Sequence, residues 1–424
     1  MLKKIIPTPL HTNSARANLF WATALQVIEK VVGYVVIAVL TRTLLQVELG
    51  TLFFALSISE LTAVFLNFGT NTYLVRLIAA DPDGALKYLS RVMSSRVINT
   101  IFGYIVLNLG VWLIQPELSP VMLFVAAYDF LEEIYNAFSG FFIGKKQLAY
   151  RLAILGGFKI LTLLGISLVA YLTRALFPIL WTYVIVDLLL VLACYQVIRT
   201  QFGDINLRFN LTDNLTLMKQ ASPFFMLNLL TILHMRFDTI MVGALLGLKH
   251  VAVYELGIKL MEVTRFFTRP LGNVFLPLFT EFAAKEQWKA FRRRFWQLIG
   301  LGLGVGVLLT VAMQAFGPYV IVWLFSERYR ESVVPAQILF LSIPFLYIVL
   351  LTTIAANALH LEKHVTFMAA LSVTLNLGLN LIIIPRFGIS GAAWVTVISQ
   401  AIQAVGMLIL ILPTLFKRRK STRA

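Results

Sequence analysis

The sequence predicts an all-α polytopic membrane protein of about twelve transmembrane helices arranged as two six-helix halves. Three observations lead there. The 424 residues are 59% hydrophobic and 13% charged, with a mean hydropathy of +0.84, where a soluble domain is about half apolar and about a quarter charged. The apolar residues fall into runs long enough to cross hydrocarbon, about 20 residues each. The basic residues sort by side: with the N-terminus placed in the cytoplasm, 24 of the 36 Lys and Arg lie in loops on that side and 6 on the other. That asymmetry is the positive-inside pattern, so the net charge of +16 orients the chain and calls for no nucleic acid.

The expected spans lie near 17–40, 51–75, 93–114, 119–143, 152–172, 176–198, 221–246, 250–276, 295–324, 333–358, 364–385 and 390–416. The first follows Lys3, Lys4 and Arg16 but is too long for a signal h-region and has no small-residue cleavage site after it, so it reads as an uncleaved span. The polar segment 206–220 reads as a cytoplasmic linker, giving an N-terminal bundle over 1–205 and a C-terminal bundle over 221–424. An even number of spans per half implies parallel repeats, and LLQVELGTLFF at Leu44 has a faint echo in LLGLKHVAVYE at Leu245.

Several chemistries are disfavoured. Cys194 is the only cysteine, which excludes a disulfide framework and a Cys-based metal site. GFFIGKK at Gly140 has three residues between its glycines and lacks the Ser or Thr of a P-loop. No zincin pattern or Ser/His/Asp set appears on an outer loop, so neither an enzyme nor a cofactor is indicated. Chemistry is expected within or between the helices.

The charges inside the spans are therefore informative. Each ionised side chain at a helix centre costs roughly 2.5 to 3.5 kcal/mol and faces a protein interior or a wet cavity. Six cations qualify: Lys30, Lys159, Arg236, Lys259, Arg265 and Arg269. In the eighth span Glu255, Lys259, Glu262, Arg265 and Arg269 share one face, which suits either a self-neutralising ladder or a cavity wall. Arg236 and Asp238 are about 200° apart around their helix and cannot pair with each other; Asp238 suits either a basic partner on another helix or a coupling-ion or substrate role. Glu29 with Lys30 in span one and Glu60 in span two lie on polar stripes. Asp129, Glu132 and Glu133 in span four form an acidic sector, with a proton or Na⁺ site and neutralisation of Lys30 or Lys159 as the two readings.

The stretch NLGLNLIIIPRFGISGAAWVTVISQ, 376–400, closely resembles a signature of the polysaccharide and oligosaccharide-lipid flippases of the MOP superfamily. Asn376 and Asn380 are spaced to bond a neighbouring helix, Pro385 is expected to end the span, and Gly388 and Gly391 permit a tight turn. RFDTIMVGALLGLKHVAVYELGIKLME and the stretch from Arg42 to Arg76 look like two further family segments, although Leu44-Leu45 and Val251-Ala252 stand where small residues are usual. The resemblance implies a MATE-like V-shaped cavity between the halves, lined by spans one, two, seven and eight. It implies a polyprenyl-pyrophosphate-linked oligosaccharide as substrate, H⁺ or Na⁺ as coupling ion, membrane lipids and polysaccharide biosynthesis enzymes as partners, and a bacterial inner membrane with both termini cytoplasmic. The basic span residues are then the candidate pyrophosphate ligands. Rival readings are a multidrug or cation antiporter of the same superfamily and a membrane glycan polymerase or ligase.

Overall fold

The computed structural model describes residues 15–114, 116–265 and 268–417, and among these every regular element is a helix. Among the described residues eight helices are long and apolar enough to cross a membrane, or nine if one bent pair counts as a single span. Large apolar side chains point outward at positions such as Phe102, Leu164 and Trp323, the last 79% exposed. A chain dressed in this way on helices of this length is a multi-pass membrane protein.

The chain divides into two compact units, 1–232 and 233–424. The first contains α1 (Ala15–Thr43), α2 (Gln46–Asn67), α3 (Thr70–Ala80), α4 (Ala85–Ile114), α5 (Ser119–Gly144), α6 (Leu148–Thr173), α7 (Leu176–Gln201) and the first part of α8 (Leu211–Leu246). Here α1 packs on α6, α6 on α7, and α5 against α2, α3, α4 and α7. The second contains the rest of α8, then α9 (Leu248–Thr264), α10 (Thr268–Ala284), α11 (Trp288–Phe325), α12 (Val333–Phe340), α13 (Ile343–Ala358) and α14 (Glu362–Lys417). Here α13 packs on α10, α11 and α14, and α12 on α9 and α14. Each unit has its own aromatic-rich core, around Phe138, Phe141 and Phe142 in the first and Phe279, Phe291 and Phe295 in the second.

The expected spans fall on these helices, with breaks the hydropathy did not reveal. The second is split into α2 and α3 by Phe68 and Gly69, both left-handed, at φ 49° and 75°. Gly69 is required there: a Cβ would lie 2.6 Å from the Phe225 backbone nitrogen and 2.8 Å from the Ala221 carbonyl oxygen. The tenth bends by 43°. The last two are joined in α14, where Pro385 does not end the helix and the break comes at Gly388, with φ 62° and ψ −151°. Proline removes one donor and leaves its own φ helical, whereas positive φ is cheap for glycine.

The polar segment expected as a linker is only partly irregular, since α8 begins at Leu211. Before that, the backbone N–H groups of Asn206 and Arg208 donate to the hydroxyls of Ser90 and Ser94, at 3.2 and 2.9 Å. Two residues of extended chain advance roughly 6.6 Å and one helical turn roughly 5.4 Å, so alternate amides can meet serines one turn apart on α4. Asn214 continues the strap through Ser95 and through Asn99, the latter at 2.8 Å.

Candidate functional site

In the second unit, Arg236 on α8 reaches Glu255 and Glu262 on α9, with Nη1 2.9 and 3.4 Å from their Oε1 atoms. Lys259 lies 3.1 Å from Glu255 and 3.8 Å from Glu262, at i,i+4 and i,i+3 spacing. Thr239 donates its hydroxyl to the other Glu255 oxygen at 2.6 Å. Glu255 is only 2% exposed, and each oxygen has a charged or hydroxyl donor. The predicted stripe is therefore a ladder for Lys259, Glu255 and Glu262, extended across helices by Arg236. Desolvation of buried ions offsets most of their attraction, but removing one member leaves its partner uncompensated. Arg265, at the C-terminal end of α9, adds a third cation near Glu262 and Arg236.

Asp238, two residues beyond Arg236, faces a different neighbour. It accepts from the Asn380 side-chain amide at 2.7 Å, the Thr396 hydroxyl at 2.8 Å and the Tyr254 hydroxyl at 3.4 Å. Asn380 also donates to Asn376 at 3.1 Å. The expectation of a basic partner for Asp238 is thus not met among the described residues: Arg236 is taken up by the α9 carboxylates, and the neutral donors of α14 hold Asp238. Gln400 and His234 meet at 2.6 Å nearby. Asp238, His234, Tyr254, Glu262, Arg265 and Thr396 line a cavity of about 20 Å³, enough for one water.

The first unit holds the acidic sector of α5. Glu133 is paired with Arg96 of α4 at 3.3 Å and accepts from Asn67 at 3.1 Å; Arg96 also donates to the Glu133 carbonyl. Asp129 accepts from the Tyr104 hydroxyl at 2.6 Å. Glu60, Asn67, Asp129, Glu132, Glu133 and Asn228 contribute to the lining of a pocket of about 290 Å³. Lys159 on α6 supplies the opposite charge felt by Glu132 and Asp187. No group of three His, Cys, Asp or Glu suited to a metal ion occurs among the described residues.

Sequence reasoning misses Arg96, Asp187, Tyr104, Thr396 and Gln400. Arg96 lies at the start of the expected third span and counts with the cytoplasmic basic residues rather than with the buried cations, yet it is 1% exposed inside α4. Lys30 is exposed on the first unit and makes no hydrogen bond or ion pair among the described residues. Arg269 lies outside the residues whose side chains are described.

Two helical units with helices of membrane-spanning length, each with buried charged side chains, define a polytopic membrane protein. The chain belongs to the polysaccharide biosynthesis protein family, whose model matches residues 15–283; a second family model, MatE, matches 223–385. Among solved structures it is similar to the lipid II flippase MurJ in an inward closed conformation, with a TM-score of 0.75 and 13% identity over 93% of this chain and 87% of that one. It is also similar to an inward-facing multidrug resistance MATE family transporter of the MOP superfamily, with a TM-score of 0.71 and 12% identity over 92% and 96%. A MOP superfamily transporter from Pyrococcus furiosus gives a TM-score of 0.61 and 11% identity over 95% and 96%. These likenesses show a shared fold. No curated protein sequence matches the chain.

Proposed function

We propose that the protein moves a polyprenyl-pyrophosphate-linked oligosaccharide from the cytoplasmic to the outer leaflet of a bacterial inner membrane by ion-coupled alternating access. The observation that carries this reading is the clustering of three cations, Arg236, Lys259 and Arg265, on α8 and α9, beside Glu255, Glu262 and Asp238. Clustered cations at membrane depth suit an anion that must leave water, because charge-assisted donors replace its lost hydration. The polysaccharide biosynthesis family match supports the saccharide part. In this reading Arg265 contacts the pyrophosphate, Arg236 and Lys259 hold the cluster together, and exposed Lys30 assists capture. Asp238, held by neutral donors, is the site for the coupling H⁺ or Na⁺. Both termini lie in the cytoplasm, and a C-terminal reporter active only outside would contradict that orientation.

The test is complementation of a flippase-deficient strain by Arg265→Gln and Lys30→Gln, with membrane abundance measured alongside. Full abundance with at least tenfold weaker transport is expected for Arg265→Gln, since a charge-assisted bond contributes about 1.5 to 3 kcal/mol. Parental transport by both variants would sink the reading. The acidic pocket of the first unit favours one alternative, export of an organic cation, which would show as transport of cationic dyes abolished by Glu132→Gln.

A further inference from the structure

Away from both charged sites, the second unit carries a cleft of about 720 Å³ where α10 turns into α11, lined by Trp288, Lys289, Arg292, Arg293 and Arg294 among others. These four cations face a single lining carboxylate, Glu286; a fifth cation, Lys285, is held by Glu281 at 2.7 Å. Arg292 is anchored to the Leu415 carbonyl at 3.1 Å and Arg294 to Gln297 at 3.3 Å. Lys289 and Arg293 are exposed and make no hydrogen bond or ion pair among the described residues. The 38-residue α11 begins at Trp288, so the amides of its first turn add positive potential to the same place. The next turns of α11 fix the depth of the cleft: the helix becomes apolar at Phe295, with Trp296 45% and Leu301 60% exposed. An exposed indole between a basic turn and an apolar face marks the membrane–water interface.

We propose that this cleft binds the phosphate headgroup of an anionic phospholipid, independently of any transported substrate. Lys289 and Arg293 supply donors with no competing partner among the described residues, Arg292 is pre-positioned by its bond to α14, and the acyl chains run along Trp296 and, farther along the same face of α11, Val307 and Val311. Basic pockets at the edge of the hydrocarbon suit such headgroups, at about 1 kcal/mol per cation near the surface.

The test is native mass spectrometry of the full chain in detergent, titrated with cardiolipin or phosphatidylcholine. Retention of cardiolipin over phosphatidylcholine is expected, with the double variant Lys289→Gln/Arg293→Gln binding about 25-fold more weakly, roughly fivefold per residue. Lys249→Gln, at the start of α9 beside Glu331, should bind like the parent, and thermal unfolding of all variants should match. Equal retention of phosphatidylcholine, or equal weakening by Lys249→Gln, overturns the proposal. Displacement of the lipid by millimolar inorganic pyrophosphate overturns it too and assigns the cleft to soluble phosphates.

Discussion

The side-chain amide of Asn380 on α14 donates to the carboxylate of Asp238 on α8 at 2.7 Å, across 142 residues of sequence. A carboxylate held by neutral donors keeps its charge available to a mobile cation, whereas one salt-bridged to arginine does not. The neighbouring Arg236 is committed to Glu255 and Glu262, so two adjacent charges serve different helices.

Replacing Asn380 with Leu should leave the Asp238 carboxylate short of a buried donor and cost about 1 to 3 kcal/mol, read as a lower unfolding midpoint in detergent. Asp238→Asn should unfold near the parental midpoint and lose the dependence of transport on a proton or sodium gradient. Gradient dependence retained by folded Asp238→Asn would remove Asp238 from the coupling role.

The α8–α9 ladder should behave as a unit. Arg236→Gln leaves Glu255 with Lys259, and Glu255→Gln leaves both cations sharing Glu262, so each should destabilise by about 1 to 3 kcal/mol, less than the loss of a sole partner. The double variant should be less damaged than the sum of the two, with a coupling of about 0.5 to 3 kcal/mol. Denaturant unfolding of the four proteins measures this directly, and strict additivity would mean the pair is not energetically coupled.

Gly69→Ala should lower folded protein in the membrane, since its φ of 75° and the 2.6 Å approach to Phe225 leave no room for a methyl group. Strained left-handed backbone alone costs about 1 to 3 kcal/mol. Gly157→Ala on α6, where nothing lies within 4 Å of the added carbon, should be neutral or slightly stabilising by its helix propensity.

In the turn between α3 and α4, Asp81 accepts from the Tyr88 hydroxyl at 2.8 Å and the Gly84 N–H at 3.2 Å. The Tyr88 bond, then the Gly84 bond, hold its carboxyl below the usual carboxylate value. A depressed carboxyl contributes its stabilisation at pH above its unfolded value and loses it as pH falls through the folded one. Exchange of the Gly84 amide should therefore show loss of protection only in strong acid, and Asp81→Ala should remove that step.

The sequence by itself determined that the chain spans a membrane repeatedly, where most spans lie and which side chains carry charge at depth. Hydropathy is a local property: a run of 20 residues decides its own transfer free energy without reference to its neighbours. It also foreshadowed the ladder, because Glu255, Lys259 and Glu262 repeat at helical spacing on one element. Only the tertiary structure decided which charges meet. Arg96 finds Glu133 from another helix, Asp238 finds Asn380 and Thr396 on α14, and α2 breaks at Gly69 because α8 passes too close for a side chain. In hydrocarbon each buried polar group needs a partner, but the partner is chosen by how the helices pack.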